Sequence, residues 1–144
     1  MRVTATATAE RPRFELRLPA SPTTVPHVRR ALMTFASAHG VPEASDVGLA
    51  VTEAVTNAIL HAYRGGETGE MRIVACAEPD RLVVVVRDYG CGMSPRPDSP
   101  GLGMGLSIIG RLAAEVNIEC PADGGTRLRM HFDAPLSGAA RVAR

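Results

Sequence analysis

The sequence predicts an α+β domain, a two-layer α/β sandwich in which helices cover one face of a mixed, mostly antiparallel sheet. Short stretches with a period of two, typical of strands, are separated by longer stretches with helical periodicity. Their order is one strand, two helices, two strands, a loop with a helix, and two strands. A chain of 144 residues can bury about two thirds of its unfolded surface as one domain, so no second domain is needed.

The N-terminal half opens with a strand and two helices. Phe14–Leu18 alternates apolar and charged residues between two prolines, which predicts the first strand. The threonines at 23 and 24 can cap a helix that runs to about Ala38 and stops at a Gly and a Pro. The next helix is expected to start near Pro42 or Ser45 and to end at Tyr63, before a Gly-Gly pair.

The C-terminal half is expected to hold a hairpin, a long loop, a short helix and two closing strands. In chain order these are strands Glu70–Ala77 and Arg81–Arg87, loop Asp88–Gly105, helix Leu106–Ala114, and strands Glu115–Glu119 and Thr126–Phe132. The loop is too rich in Gly and Pro for a regular element, and loops of this length in compact domains are usually functional or disordered. We expect the domain to span residues 13–133, with a disordered N-terminus at 1–12 and a flexible tail at 134–144.

Composition excludes several functions. A net charge of +1, 3% aromatic residues and no Trp argue against direct binding of nucleic acid. The longest aliphatic run has five residues and the N-terminus lacks a signal pattern, so we expect a soluble protein that is neither membrane-bound nor exported. Three widely spaced cysteines fit a reducing cytoplasm. All sixteen basic residues are Arg, which excludes a P-loop lysine.

The second helix carries a polar stripe on an otherwise apolar surface. Glu53, Asn57 and His61 recur every four residues, so at about 100° per residue they share one helix face. Glu53 is the only formally charged residue between Val47 and Tyr63. Burying an unpaired carboxylate costs several kcal/mol. The stripe is therefore expected to face a ligand, a metal or a polar cavity.

Two glycine-containing segments follow this helix. Asp88-Tyr89-Gly90-Cys91-Gly92-Met93 continues a strand, so the Asp88 carboxylate is expected at the strand end. Gly101-Leu102-Gly103-Met104-Gly105-Leu106 leaves bare amides before a helix whose N-terminal dipole favours phosphate. A Rossmann dinucleotide site is excluded because a Pro-rich stretch, and not a strand, precedes these glycines.

Together, the three segments resemble the Bergerat-type (GHKL, histidine-kinase-like) ATP-binding fold, and most closely the anti-sigma factor serine/threonine kinases. The resemblance covers about Phe14 to Phe132 and is carried by Glu-Ala-Val-Thr-Asn-Ala-Ile-Leu-His and Asp-Tyr-Gly-Cys-Gly-Met. It implies that the protein binds ATP with Mg²⁺, transfers the γ-phosphoryl group to a Ser or Thr of an anti-sigma antagonist protein, and sequesters a sigma factor as a homodimer.

The resemblance also implies roles for the polar stripe and the first glycine segment. Asn57 becomes the Mg²⁺ ligand, which suits an ion that keeps waters and binds phosphates. Glu53 becomes the general base. Asp88 would accept the adenine amine, with Gly90 and Gly92 letting the backbone approach the ring. His61 stays open between a phosphate-side contact and a packed core histidine.

The remaining implied nucleotide contacts lie further along the chain. They are Met93 and Arg96 in a short lid, the segment Gly101, Leu102, Gly103, Met104, Gly105 and Leu106, and Thr126 beside the adenine. Some family members carry an Arg where Gly101 stands here, which leaves kinase activity open. Arg96 could substitute for that Arg or be a solvated loop charge.

Three functional alternatives follow. The chain could be an ATP-binding module with little or no kinase activity, or a stand-alone switch kinase that activates a phosphatase. A catalytic fragment of a sensor histidine kinase is disfavoured, because the chain lacks a phosphoacceptor hairpin. Arg29 and Arg30 on the first helix resemble a basic patch that contacts sigma factors, although such a pair can also be merely solvated.

Overall fold

The computed structural model describes residues 2–6, 11–62, 69–90 and 100–135, and for residues 2, 4–6, 61–62 and 100–105 only the backbone. In chain order the elements are β1 (Arg2–Thr6), β2 (Arg13–Pro19), α1 (Val25–Ala38), α2 (Ala44–Asn57), β3 (Glu70–Glu78), β4 (Arg81–Asp88), α3 (Pro100–Leu112), β5 (Glu115–Glu119) and β6 (Thr126–Asp133). A 3₁₀ turn at Pro22–Thr24 precedes α1, and a π-helical turn at Ala58–Ala62 continues α2.

The described strands form one sheet in the order β1-β2-β3-β4-β6-β5. The predicted α+β sandwich is confirmed, but the sheet is not mixed: each of its five described pairings is antiparallel. The reason is that two helices, and not one, connect β2 to β3. They bring the chain back to the end of the sheet where β2 finishes, so that Pro19 pairs with Glu70.

The core lies between the helices and one face of the sheet. Alternate strand residues such as Ile73, Val84 and Met130 are fully buried there, as the period of two requires. Helix α2 is central, because it packs against α1, α3 and β4. Its approach to α1 is close: a Cβ added at Gly48 would lie 2.6 Å from the Met33 sulfur.

The other face of the sheet carries arginines and a few acids. Glu15 is the centre of one cluster, where it accepts hydrogen bonds from Arg13, Arg17 and Arg72 at 2.8 to 3.2 Å. The hydrogen bond from Arg72, followed by that from Arg17, lowers the pKa of Glu15 to about 2, against the opposing effect of burial. This cluster ties β2 to β3 on the face that the helices do not cover.

At two places the structure differs clearly from the sequence prediction. Residues 2–6, expected to be disordered, form β1, because β-branched residues in this segment pair with the exposed edge of β2. The loop expected at 88–105 is shorter, since α3 begins at Pro100 and not at Leu106. Pro is favoured in a first helical turn, and packing on α2 outweighs the poor helix propensity of the glycines.

The start of α1 is a smaller correction. The Thr24 hydroxyl does not cap the helix; it donates to the Ser21 carbonyl at 2.7 Å, while the Ser21 hydroxyl accepts from the Thr23 N–H at the 3₁₀ turn. None of the helices in the described part of the chain is long and apolar enough to cross a membrane.

Candidate functional site

Two buried polar residues lie side by side at one end of the core. Asp88 is the last residue of β4, and it pairs directly with Thr126, the first residue of β6. Both follow the alternation of Val86 and Leu128, which face the helices. Asp88 is 2% exposed and Thr126 is 1% exposed. The sequence-predicted pair is therefore brought together under the helical layer.

The Asp88 carboxyl is held by backbone groups. The Gly90 N–H donates to Asp88 Oδ1 at 3.1 Å. Burial raises the pKa of Asp88 above its usual value, against the opposing effect of backbone hydrogen bonds from Gly90 and Thr126 and of the Arg87 charge. A buried acid with these few donors has acceptor capacity left for a ligand.

The turn before β6 presses against Asp88. Gly124 and Gly125 both have positive φ, 97° and 75°. A Cβ added at Gly125 would overlap the Asp88 carbonyl, whereas one at Gly124 would meet nothing within 4 Å. Gly125 is thus required for both its backbone conformation and its close approach to the site.

Helix α2 contributes Glu53 and Asn57. The α-helix is continuous through Asn57, so the two residues lie one turn apart as predicted. Asn57 is 5% exposed, and its Nδ2 has no hydrogen-bond partner among the described residues. Because such an orphaned group is costly, it marks a position where a bound ligand could supply the partner. Glu53 is half-buried.

The α-helical geometry that carries Glu53 and Asn57 ends before His61. From Ala58 to Ala62 the backbone is π-helical, with a wider turn than an α-helix. Single π-helical turns occur frequently at functional sites. The His61 side chain lies outside the described residues, and its role remains a prediction.

The second glycine segment is placed differently from the prediction. Gly101, Gly103 and Gly105 lie within the first turns of α3 and not before it. Since only the first four N–H groups of a helix lack internal partners, and Pro100 has none to offer, the amides available to a phosphate are those of residues 101–103. Leu106 is half-buried and packs against the core. Three other predicted positions, Gly92, Met93 and Arg96, lie outside the described residues.

The side chains near the site can be compared with the ligands that the predicted Mg²⁺ requires. The described residues contain no group of three or more His, Cys, Asp or Glu side chains that could hold a metal ion. The predicted Mg²⁺ would need only one side-chain oxygen from the protein, because this ion keeps several waters and binds phosphates. Asn57, buried at the end of α2, carries the side-chain oxygen that the predicted Mg²⁺ would need, although the unpaired atom of its amide is the Nδ2 donor.

Sequence reasoning missed Arg87. This residue follows an aliphatic run in β4, and its guanidinium contacts the Asp88 and Gly124 carbonyls and the Asp123 carboxylate. A charged residue at the end of such a run is the signal that could have identified it. A separate cleft of about 310 Å³, lined by residues such as Asp46 and Arg111, contains none of the site residues.

Comparison with known proteins adds a family match. The histidine kinase-like ATPase domain family matches residues 18–132. The chain is 31% identical over 134 residues to the serine-protein kinase RsbW of Bacillus licheniformis, which covers 81% of this chain and 82% of the relative. It is 32% identical over 136 residues to the protein of the same name from Bacillus pumilus, covering 81% and 83%. It is 32% identical over 99 residues to the anti-sigma F factor of Clostridium beijerinckii, covering 61% and 69%.

Proposed function

Since the chain belongs to the histidine kinase-like ATPase domain family, we propose that it is an ATP-binding anti-sigma regulatory factor with serine/threonine kinase activity. It transfers the γ-phosphoryl group of ATP to a Ser or Thr of an antagonist protein and sequesters a sigma factor. The names of the relatives, serine-protein kinase and anti-sigma F factor, support both activities. Within the chain itself, the supporting observation is the Asp88 carboxyl buried at the end of β4.

Asp88 recognises the adenine base in this proposal. Its free acceptor capacity takes the exocyclic amine of adenine, and a buried acceptor discriminates strongly against a base that cannot donate there. Thr126 is the register partner of Asp88 in the neighbouring strand, and in this proposal its hydroxyl lies on the adenine side of the nucleotide. Gly90 leaves room for the backbone to approach the ring.

The phosphates lie between α2 and the start of α3. The amides of residues 101–103 and the α3 dipole favour their negative charge. Asn57 is the residue that would hold Mg²⁺, which supplies neutralisation of charge on the phosphates when bound. Gly92, Met93 and Arg96 complete the lid in this proposal, with Leu102, Met104 and Leu106 beside the nucleotide.

Glu53 acts as the general base. It lies one α-helical turn before Asn57 and is half-buried, so it can accept the proton of the attacking Ser or Thr hydroxyl at the phosphate side of the site. Phosphoryl transfer otherwise requires positioning and charge stabilisation more than covalent chemistry by the protein. His61 is assigned to the same side of the nucleotide.

The proposed macromolecular partners are a sigma factor and the phosphoacceptor antagonist, and we place the protein in the cytoplasm as a homodimer. Arg29 and Arg30 are exposed on α1 and suit a sigma factor surface that carries acidic groups. A binding module with little kinase activity is the second candidate. The observation that favours it is Gly101, at the position where the resemblance to anti-sigma kinases implies an Arg in some family members.

The test begins with calorimetric titration of ATP in the presence of Mg²⁺. The wild-type protein should bind, whereas Asp88→Asn, which replaces an acceptor oxygen by an amino group of the same size, should abolish binding. The isosteric Asp80→Asn in the β3–β4 turn is the control. Capture of partners from the source cell with and without ATP, followed by radiolabelled phosphoryl transfer to captured proteins, then distinguishes a kinase from a binding module. Normal ATP binding by Asp88→Asn would refute the proposal that Asp88 recognises adenine.

A further inference from the structure

One arginine is buried on the face of the sheet that the helices do not cover. The side chain of Arg87 is 7% exposed. The other paired arginines of this face are 35 to 43% exposed; they are Arg13, Arg17, Arg72, Arg81, Arg127 and Arg129. Because a guanidinium loses much hydration on burial, it stays buried only where several contacts replace the water.

Arg87 makes those contacts to two segments that are distant in sequence. Its Nη1 donates to the Asp88 carbonyl, and also to the Gly124 carbonyl at 2.9 Å. Its Nη2 donates to Asp123 Oδ1 at 2.9 Å. The guanidinium carbon lies 4.4 Å from the centre of the Tyr89 ring, a cation–π distance.

These contacts join the end of β4 to the turn that leads into β6. Gly124 is followed by Gly125, which touches the Asp88 backbone so closely that no Cβ fits. The next residue, Thr126, is the register partner of Asp88. One guanidinium therefore holds the backbone on both sides of the Asp88–Thr126 pair.

Arg87 acts from the opposite face of the sheet. Neighbouring strand residues alternate between faces, so Asp88 faces the helices while Arg87 lies on the uncovered side. A group in this position supports the pair through the backbone without reaching the nucleotide. The planar guanidinium, with several donors in a fixed geometry, can do this in a way that a Lys ammonium cannot.

We propose that Arg87 is a positioning residue of the nucleotide site, which holds Asp88 and Thr126 at the spacing that selects adenine. This inference rests on the proposed function. It predicts that loss of Arg87 lowers base discrimination, and not only overall affinity.

The test measures the affinities of ATP and inosine triphosphate by calorimetry for the wild type, Arg87→Met and Arg87→Lys. Inosine triphosphate carries an oxygen in place of the adenine amine, so the ratio of the two affinities reports base recognition and cancels any general charge effect on the phosphates. We expect the wild type to prefer ATP and the ratio to fall by about tenfold or more in Arg87→Met. Arg87→Lys should not restore the wild-type ratio, because one ammonium group cannot replace the several donors that the planar guanidinium holds in a fixed geometry.

Arg81→Met is the matched control. Arg81 lies on the same strand and face, at the other end of β4, and pairs with Glu78 at 2.8 Å. Its loss should leave the affinity ratio unchanged. An unchanged affinity ratio in a folded Arg87 variant would overturn this inference and leave the proposed function intact. Loss of folding in both Arg87→Met and Arg87→Lys would also overturn it, because the role of Arg87 would then be purely structural. If the wild type fails to bind ATP, the proposed function is overturned, and this inference with it.

Discussion

At the residue scale, the proposed site depends on a few polar side chains that are buried in the domain. Asp88, Thr126 and Asn57 are the buried polar residues that lie towards the proposed nucleotide. Polar groups in such positions cost free energy unless they are paired, and the Asn57 Nδ2 has no partner among the described residues. Asn57 and Asp88 were selected from the sequence because they stand within or directly after apolar stretches, whereas Thr126 was selected only by the family resemblance.

Substitution of Gly125 tests the close approach between the turn and Asp88. Ala at either Gly124 or Gly125 must adopt a positive φ, at a cost of roughly 1–3 kcal/mol in unfolding free energy. Only at Gly125 does the new Cβ overlap the Asp88 backbone. Gly125→Ala should therefore weaken ATP binding in calorimetry far more than Gly124→Ala. Equal binding by the two variants would show that this contact does not shape the site.

Removal of the Glu53 carboxylate should separate binding from chemistry. Glu53→Ala is expected to keep ATP affinity within a few-fold and to slow phosphoryl transfer by roughly 10² to 10⁴, the usual contribution of a general base. Single-turnover transfer to the captured antagonist provides the measurement. Full transfer by the variant would mean that Glu53 is not the base.

Asn57→Ala addresses the metal assignment. The loss of the Asn57 side-chain oxygen should weaken ATP binding mainly when Mg²⁺ is present, because this oxygen would coordinate the ion and would not contact the adenine. Titrations with Mg²⁺ and with excess EDTA make the comparison. An equal loss under the two conditions would argue against a metal role.

At the scale of elements, the helices place the site through their ends. Helix α2 presents Asn57 at its C-terminal turn, just before the π-helical segment, and α3 begins with the glycine segment. The helix core depends on close contacts such as that between Gly48 and Met33. Glycines in these helices therefore have different effects. Some allow close contact between two helices, and others only lower helix stability.

Two glycine substitutions distinguish these purposes. Gly110 in α3 is exposed, and a Cβ there would meet nothing within 4 Å. Gly110→Ala should raise the free energy of unfolding by roughly 0.5–1 kcal/mol, measured by urea denaturation. Gly48→Ala gains the same helix propensity but must displace Met33, so it should stabilise less or destabilise. A larger gain at Gly48 would contradict the close packing of α1 and α2.

At the scale of the whole molecule, the sheet has two unlike faces. One is buried under the helices, and the other carries ionic clusters that connect neighbouring strands. The Glu15 cluster joins β2 to β3, and Arg87 joins β4 to the turn before β6. The ionic groups of the uncovered face thus connect neighbouring segments of the sheet, and in our proposal Arg87 also sets the geometry of the site.

The Glu15 cluster predicts a dependence of stability on pH. Its pKa is lowered from 4.5 to about 2, so its stabilising effect is complete above pH 4.5 and is lost as the pH falls towards 2. Glu15→Gln should lower the free energy of unfolding by about 1 kcal/mol at pH 7, and the difference from wild type should shrink at acid pH.

Thermal unfolding from pH 7 to pH 3 checks the Glu15 prediction. Glu119→Gln is its control, because Glu119 is exposed and its contacts to Arg127 and Arg129 are longer, 3.6 and 4.0 Å. A difference between Glu15→Gln and wild type that stayed constant down to pH 3 would contradict the lowered pKa.

The sequence by itself determined the order of the elements from β2 to β6, the α+β class, the polar positions Glu53 and Asn57, and the family resemblance that the family match supports. These follow from periodicity and residue chemistry, which are local properties of the chain. Only the tertiary structure decided that β1 pairs with β2, that α3 begins at Pro100, and that Arg87 joins β4 to the turn before β6. Strand pairing and burial depend on residues far apart in sequence, so local patterns could not reveal them.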